Sequence, residues 1–143
     1  MARVLVIDPD ATIRELLTSC LEDEGYVVRA AGGLADALRL LRTGQFDLIL
    51  ADLFRIATRS ESHSPSQALM DAAPDVPLVL CTTLPDAADL EFWHHGLAGV
   101  ILKPFAIDDL YSCLAQVLVD GSHACMRLAS VVPSGGSYLH GEV

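Results

Sequence analysis

Short apolar runs alternate with segments of helical period along most of the chain. Val4-Leu5-Val6-Ile7 is continuous and rich in β-branched residues, as expected of a strand buried on both faces of a parallel sheet. Ile13, Leu16, Leu17, Cys20 and Leu21 then recur at helical spacing with acidic residues opposite, and Gly25 marks the stop. Tyr26 to Val28 predicts a second strand. Leu34, Ala37, Leu38 and Leu41 predict a second helix reaching Gly44, and Phe46 to Ala51 a third strand that runs into Asp52. From 53 to 75 the pattern weakens: Ser60, Ser62, Ser64 and Ser66 surround Pro65, and the helical candidate is short, Gln67 to Ala72. Leu78 to Cys81 predicts a fourth strand. A helix opens at Pro85-Asp86, where proline suits the first turn and an acid the positive end of the dipole, and closes at Gly96. Val100 to Leu102 is the last strand, and Ile107, Leu110, Cys113, Leu114, Val117 and Leu118 mark a last helix before Gly121.

Five strands alternating with five helices imply a doubly wound parallel sheet, because parallel neighbours need crossover connections. Open sheets of this kind bind ligands beyond the carboxyl ends of their strands. The residues at those ends are Asp8, Asp52, Thr82 and Lys103. Carboxylates hold hard cations, while an ammonium and a hydroxyl contact phosphate oxygens, so this set suits a divalent cation together with a phosphoryl group. Lys103 is also the only lysine of the chain, every other Lys/Arg position being arginine.

Four segments carry a family resemblance: VLVIDPDATIRELL at 4–17, FDLILADL at 46–53, VPLVLCTT at 76–83 and GVILKPF at 99–105. In this order and spacing they resemble the receiver domains of response regulators, over roughly residues 3 to 119. The resemblance implies a flavodoxin-like five-stranded parallel sheet of order 2-1-3-4-5 with five flanking helices. It implies that Asp52 accepts a phosphoryl group from a histidine kinase or phosphotransfer protein. It also implies a magnesium ion at Asp8 and Asp52, with Asp10 and the backbone of Phe54 as further candidate ligands. Thr82 and Lys103 would contact the phosphate, and the Lys103-Pro104 bond would be cis. A surface switched by the phosphate would be read by a downstream protein or by a second copy in a homodimer, with no catalysis beyond self-phosphorylation and self-dephosphorylation.

Three positions depart from the family pattern. Pro9 stands where receivers carry a second acid beside the first, which predicts weak magnesium binding. Val100 stands where many have a Tyr or Phe that moves with the switch hydroxyl. Ile56 and Ser60 stand where a Pro and a Gly commonly follow the phosphoacceptor. Two other readings stay open. A receiver fold with this acidic pocket could act as a phosphorylation-independent binding module, and Asp8-Pro9-Asp10-Ala11-Thr12 also resembles the nucleophile motif of haloacid-dehalogenase-type phosphatases, with Asp8 as nucleophile and Asp10 as general acid.

Composition narrows the partners. At 143 residues, about half of them hydrophobic, the chain suits one receiver domain over 1–120 with a flexible tail over 121–143. Acids outnumber bases 19 to 9, for a net charge of -10, which argues against nucleic acid. No stretch approaches the about 18 apolar residues of a membrane span, and the N-terminus does not read as a signal peptide. The four cysteines (Cys20, Cys81, Cys113, Cys125) are widely spaced and read as buried thiols of a cytoplasmic protein. His94-His95 are adjacent and point apart on a helix, so no metal is expected there, while Phe92 and Trp93 make that helix apolar around much of its circumference.

Overall fold

A computed structural model describes residues 1–52, 65–82 and 97–120. The elements are β1 (Arg3–Ile7), α1 (Ala11–Asp23), β2 (Val27–Ala31), α2 (Leu34–Thr43), β3 (Leu48–Ala51), α3 (Pro65–Ala72), β4 (Leu78–Thr82), β5 (Gly99–Leu102) and α4 (Ile107–Asp120). All five strands are parallel, in the order β2-β1-β3-β4-β5. This is the expected order. Four helices flank the sheet among the described residues. The helix expected from Pro85 to Gly96, with Phe92, Trp93, His94 and His95, lies outside them. So do Phe54, Ile56, Ser60, Ser62, Ser64, Cys125 and the segment 121–143.

Alternation along each strand sends side chains to two apolar layers. Val4, Val6, Leu48, Leu50, Val79, Cys81 and Ile101 face α1 and α4, which contribute Leu17 and Leu21 and then Leu110, Cys113, Leu114 and Val117. Leu5, Ile7, Ile49, Ala51, Leu78, Leu80 and Val100 face α2 and α3 through Ala37 and Leu69. The continuous apolar runs are thus explained by a sheet covered on both faces. Cys81 and Cys113 are buried and Cys20 is only half-buried.

The strand reaches Ala31, beyond the expected Tyr26 to Val28. Val27, Arg29 and Ala30 are exposed on the edge strand β2, so hydrophobicity does not trace its length. α1 ends where Gly25 adopts φ 95, its N–H donating to the Glu22 carbonyl at 2.9 Å while Tyr26 N–H reaches Leu21 at 3.1 Å. These two bonds close the helix, and the left-handed residue between them favours glycine. Among the described residues, no helix is long and apolar enough to cross a membrane.

Candidate functional site

The parallel register aligns the carboxyl ends of the central strands. Ile7 pairs with Ala51 and Ala31, and Ala51 with Leu80, so the residues that follow β1 and β3 emerge side by side. Those residues are Asp8 and Asp52. Asp52 N–H donates to the Ile7 carbonyl at 2.8 Å, and Asp8 N–H to the Ala31 carbonyl at 3.1 Å, extending the ladder one step past the strands. Thr82, the last residue of β4, pairs with Leu102, which places it one position from Lys103 at the same edge.

Lys103 brings the two acids together. Its Nζ donates to Asp8 Oδ2 and to Asp52 Oδ2, each at 2.9 Å. The side chains retain 3% exposure at Asp8, 14% at Asp52 and 11% at Lys103, so the triad is largely shielded from water. A buried carboxylate needs a cation or hydrogen bonds, and Asp8 has both, since its Oδ1 also accepts from the Asp10 N–H at 2.9 Å. The Lys103-Pro104 peptide is cis, and Phe105 just beyond it is buried in the core.

Asp10 sits differently. Its Oδ1 accepts from Thr12 N–H at 2.9 Å and Ile13 N–H at 3.4 Å, making it the N-cap of α1, with the carboxylate exposed. A carboxylate there satisfies helix N–H groups that would otherwise lack partners. Asp10→Ala is expected to cost about 1 kcal/mol of stability by urea unfolding, with little change in magnesium affinity.

Sequence reasoning did not single out Arg14. Its Nη1 donates to the Asp8 backbone carbonyl at 2.7 Å, a contact between residues six apart that no periodicity announces. Val100 is buried against the α2 and α3 layer, so the place of the usual aromatic is filled by a small branched side chain.

Among the described residues, no group of three or more His, Cys, Asp or Glu could hold a metal. Two carboxylates remain, Asp8 and Asp52. Magnesium is commonly held by one or two carboxylates while keeping several waters, so this pair fits it, with fewer direct ligands than a three-acid pocket.

An acid pair and a lysine at the carboxyl edge of a doubly wound parallel sheet stand where proteins of this fold class bind their ligands. The chain belongs to the response regulator receiver domain family, whose model matches residues 4–115. The DNA-binding response regulator MtrA of Mycolicibacterium paratuberculosis is 31% identical over 109 residues, 76% of this chain and 47% of that protein. A CheY-like receiver from Methanospirillum hungatei, 23% identical, superposes with a TM-score of 0.72 over 84% of this chain and 95% of its own, which shows the shared fold. TrrA of Thermotoga maritima, solved in complex with magnesium and beryllofluoride, is 26% identical, with a TM-score of 0.66 over 82% of this chain and 99% of its own. The chain spans about half the length of the curated relatives it matches. It is a receiver domain of the kind found in two-component response regulators. Family membership sets aside the phosphatase reading of Asp8-Pro9-Asp10, which also required Asp10 as a general acid where the structure has a helix cap.

Proposed function

We propose that Asp52 is the phosphoacceptor, receiving a phosphoryl group from the phosphohistidine of a histidine kinase or phosphotransfer protein. The observation that carries this reading is the bridge from Lys103 Nζ to both Asp8 and Asp52 at the ends of β5, β1 and β3. It gathers a nucleophilic carboxylate and a point charge for phosphoryl oxygens in one shielded place. An Asp52 oxygen attacks phosphorus, the phosphorus–nitrogen bond breaks, and its electron pair stays on the departing imidazole, leaving an acyl phosphate on Asp52. Lys103 turns from the carboxylates toward the new phosphate oxygens, and Thr82 supplies a hydroxyl from the end of β4. Magnesium bound weakly by Asp8 and Asp52 would supply further charge neutralisation on the phosphoryl oxygens. The same pocket accepts phosphate from small donors and returns it to water. A downstream protein reads the switched surface, in the cytoplasm where the kinase delivers its phosphate.

The test is incubation of the full chain with magnesium and acetyl phosphate, followed by intact mass, with beryllofluoride and amide spectra as a second readout. The expected result is phosphate or beryllofluoride capture by the wild type and none by Asp52→Asn. Pro9 and the capping role of Asp10 favour one other reading, a module that binds its partner without phosphate. Absence of any Asp52-dependent change, even at high magnesium, would overturn phosphorylation of Asp52 and favour that alternative.

A further inference from the structure

Asp8 is 2% exposed, yet its backbone carbonyl lies just past the end of β1, where the Asp52 N–H has already been taken by the Ile7 carbonyl. Buried carbonyls find partners, and this one accepts from Arg14 Nη1 at 2.7 Å. The guanidinium that makes this bond lies against Gly32, the first residue after β2. A Cβ built at Gly32 would come within 3.0 Å of Arg14 Nη1 and 3.4 Å of its Cζ. Arg14 therefore reaches from the first turn of α1, past Asp8, to a place against Gly32 where a side-chain methyl would press on its guanidinium and displace it by a few tenths of an ångström.

We propose that Arg14, seated on Gly32, is a positioning residue for the phosphoryl site: it holds the Asp8 backbone so that the Asp8 carboxylate meets Lys103. Asp8 is then fixed by four polar contacts. Its N–H is held by Ala31, its carbonyl by Arg14, its Oδ1 by the Asp10 N–H and its Oδ2 by Lys103. Arg14 is the one of these contacts that comes from a helix side chain, so it couples the placement of α1 to the geometry of the pocket. Reaction geometry is sensitive to displacements on the scale of an ångström, which gives such a clamp leverage over phosphoryl capture. The inference rests on Asp8, Asp52 and Lys103 forming the phosphoryl site.

The single lysine of the chain makes a direct test available, because lysine-selective 15N labelling yields one side-chain Nζ signal, that of Lys103. In the full chain, Arg14→Ala is expected to move this signal toward that of a free lysine and to speed exchange of its protons with water. Gly32→Ala should move it in the same direction with Arg14 still present, and Arg14→Gln, which keeps a side-chain N–H donor and leaves Lys103 the single lysine, should restore part of the wild-type position. Asp8→Asn should shift the signal by itself, and adding Arg14→Ala to it should produce little further shift, since the clamp would then have nothing to position. Should Arg14→Ala fail to fold, Gly32→Ala and Arg14→Gln decide alone. A Lys103 signal left in place by Gly32→Ala and by Arg14→Ala, but moved by Asp8→Asn, would overturn the proposal. So would an Arg14→Ala shift that persists undiminished in the Asp8→Asn background. No phosphodonor enters these measurements, so their outcome is separate from whether Asp52 takes phosphate.

Discussion

Pro9→Asp is expected to tighten magnesium binding by at least about tenfold, the lower end of what even an outer-sphere partner contributes at a metal site. The substitution puts a carboxylate beside Asp8, where receivers usually carry one and where this chain has a ring that can neither coordinate nor donate. Asp10 does not compensate, because its Oδ1 is engaged by two N–H groups at the start of α1. Pro9→Ala separates the two effects of proline: it frees the backbone without adding charge, and should leave affinity near that of the wild type. Amide shifts followed through a magnesium titration measure all three proteins. Equal affinities for wild type and Pro9→Asp would show that residue 9 does not face the cation.

Lys103→Met should cost about 3 kcal/mol of stability at neutral pH, the scale on which removing one member of a buried charge cluster is felt. Lys103 holds Asp8 and Asp52 together at 2.9 Å from each, and its removal takes the shared ammonium away from two shielded carboxylates. Adding Asp8→Asn to this variant removes one of the charges and should recover much of the loss, as urea unfolding of the single and double variants would register.

Titration of the lysine gives this effect a second signature. Burial pulls the Lys103 ammonium down; the nearby Cys81 sulfur and then the hydrogen-bonded carboxylates of Asp8 and Asp52 more than reverse it, so the group titrates above the ordinary lysine value of 10.5. Burial pushes the Cys81 thiol up as well, which leaves it uncharged at neutral pH, so there the two carboxylates carry the effect. A cation whose folded value is raised contributes stability that is complete below 10.5 and is lost as pH rises through the folded value. Wild-type stability should therefore decline at strongly alkaline pH by an amount that Lys103→Met does not show.

Much of the site was legible because a doubly covered parallel sheet writes its strands as unbroken apolar runs. Each such run ended on a polar residue, and once topology is granted, Asp8, Asp52, Thr82 and Lys103 fall on one edge. What pattern could not supply is which atoms meet. The Lys103 bridge spans separations of 95 and 51 residues and depends on register. The extension of β2 through Arg29 and Ala30 was hidden because an exposed edge has no burial to mark it. The capping role of Asp10 did leave a signal, an acid directly before the periodic segment of α1, but the nearby acidic pocket offered a competing use for the same carboxylate. Arg14 left none, since arginine on a helix is unremarkable until the chain folds it over Asp8 and Gly32.

The placement of the acid pair also bears on how the domain breathes. β1 is paired on both sides, and its residues from Val4 to Ile7 are at most 1% exposed; β3 is enclosed in the same way. Amides in such strands exchange with solvent only when the whole domain opens, whereas the edge strand β2 opens at lower cost. Asp8 and Asp52 are rooted in the two strands that would be last to let go, so fluctuations that fray the periphery leave the spacing between these carboxylates intact.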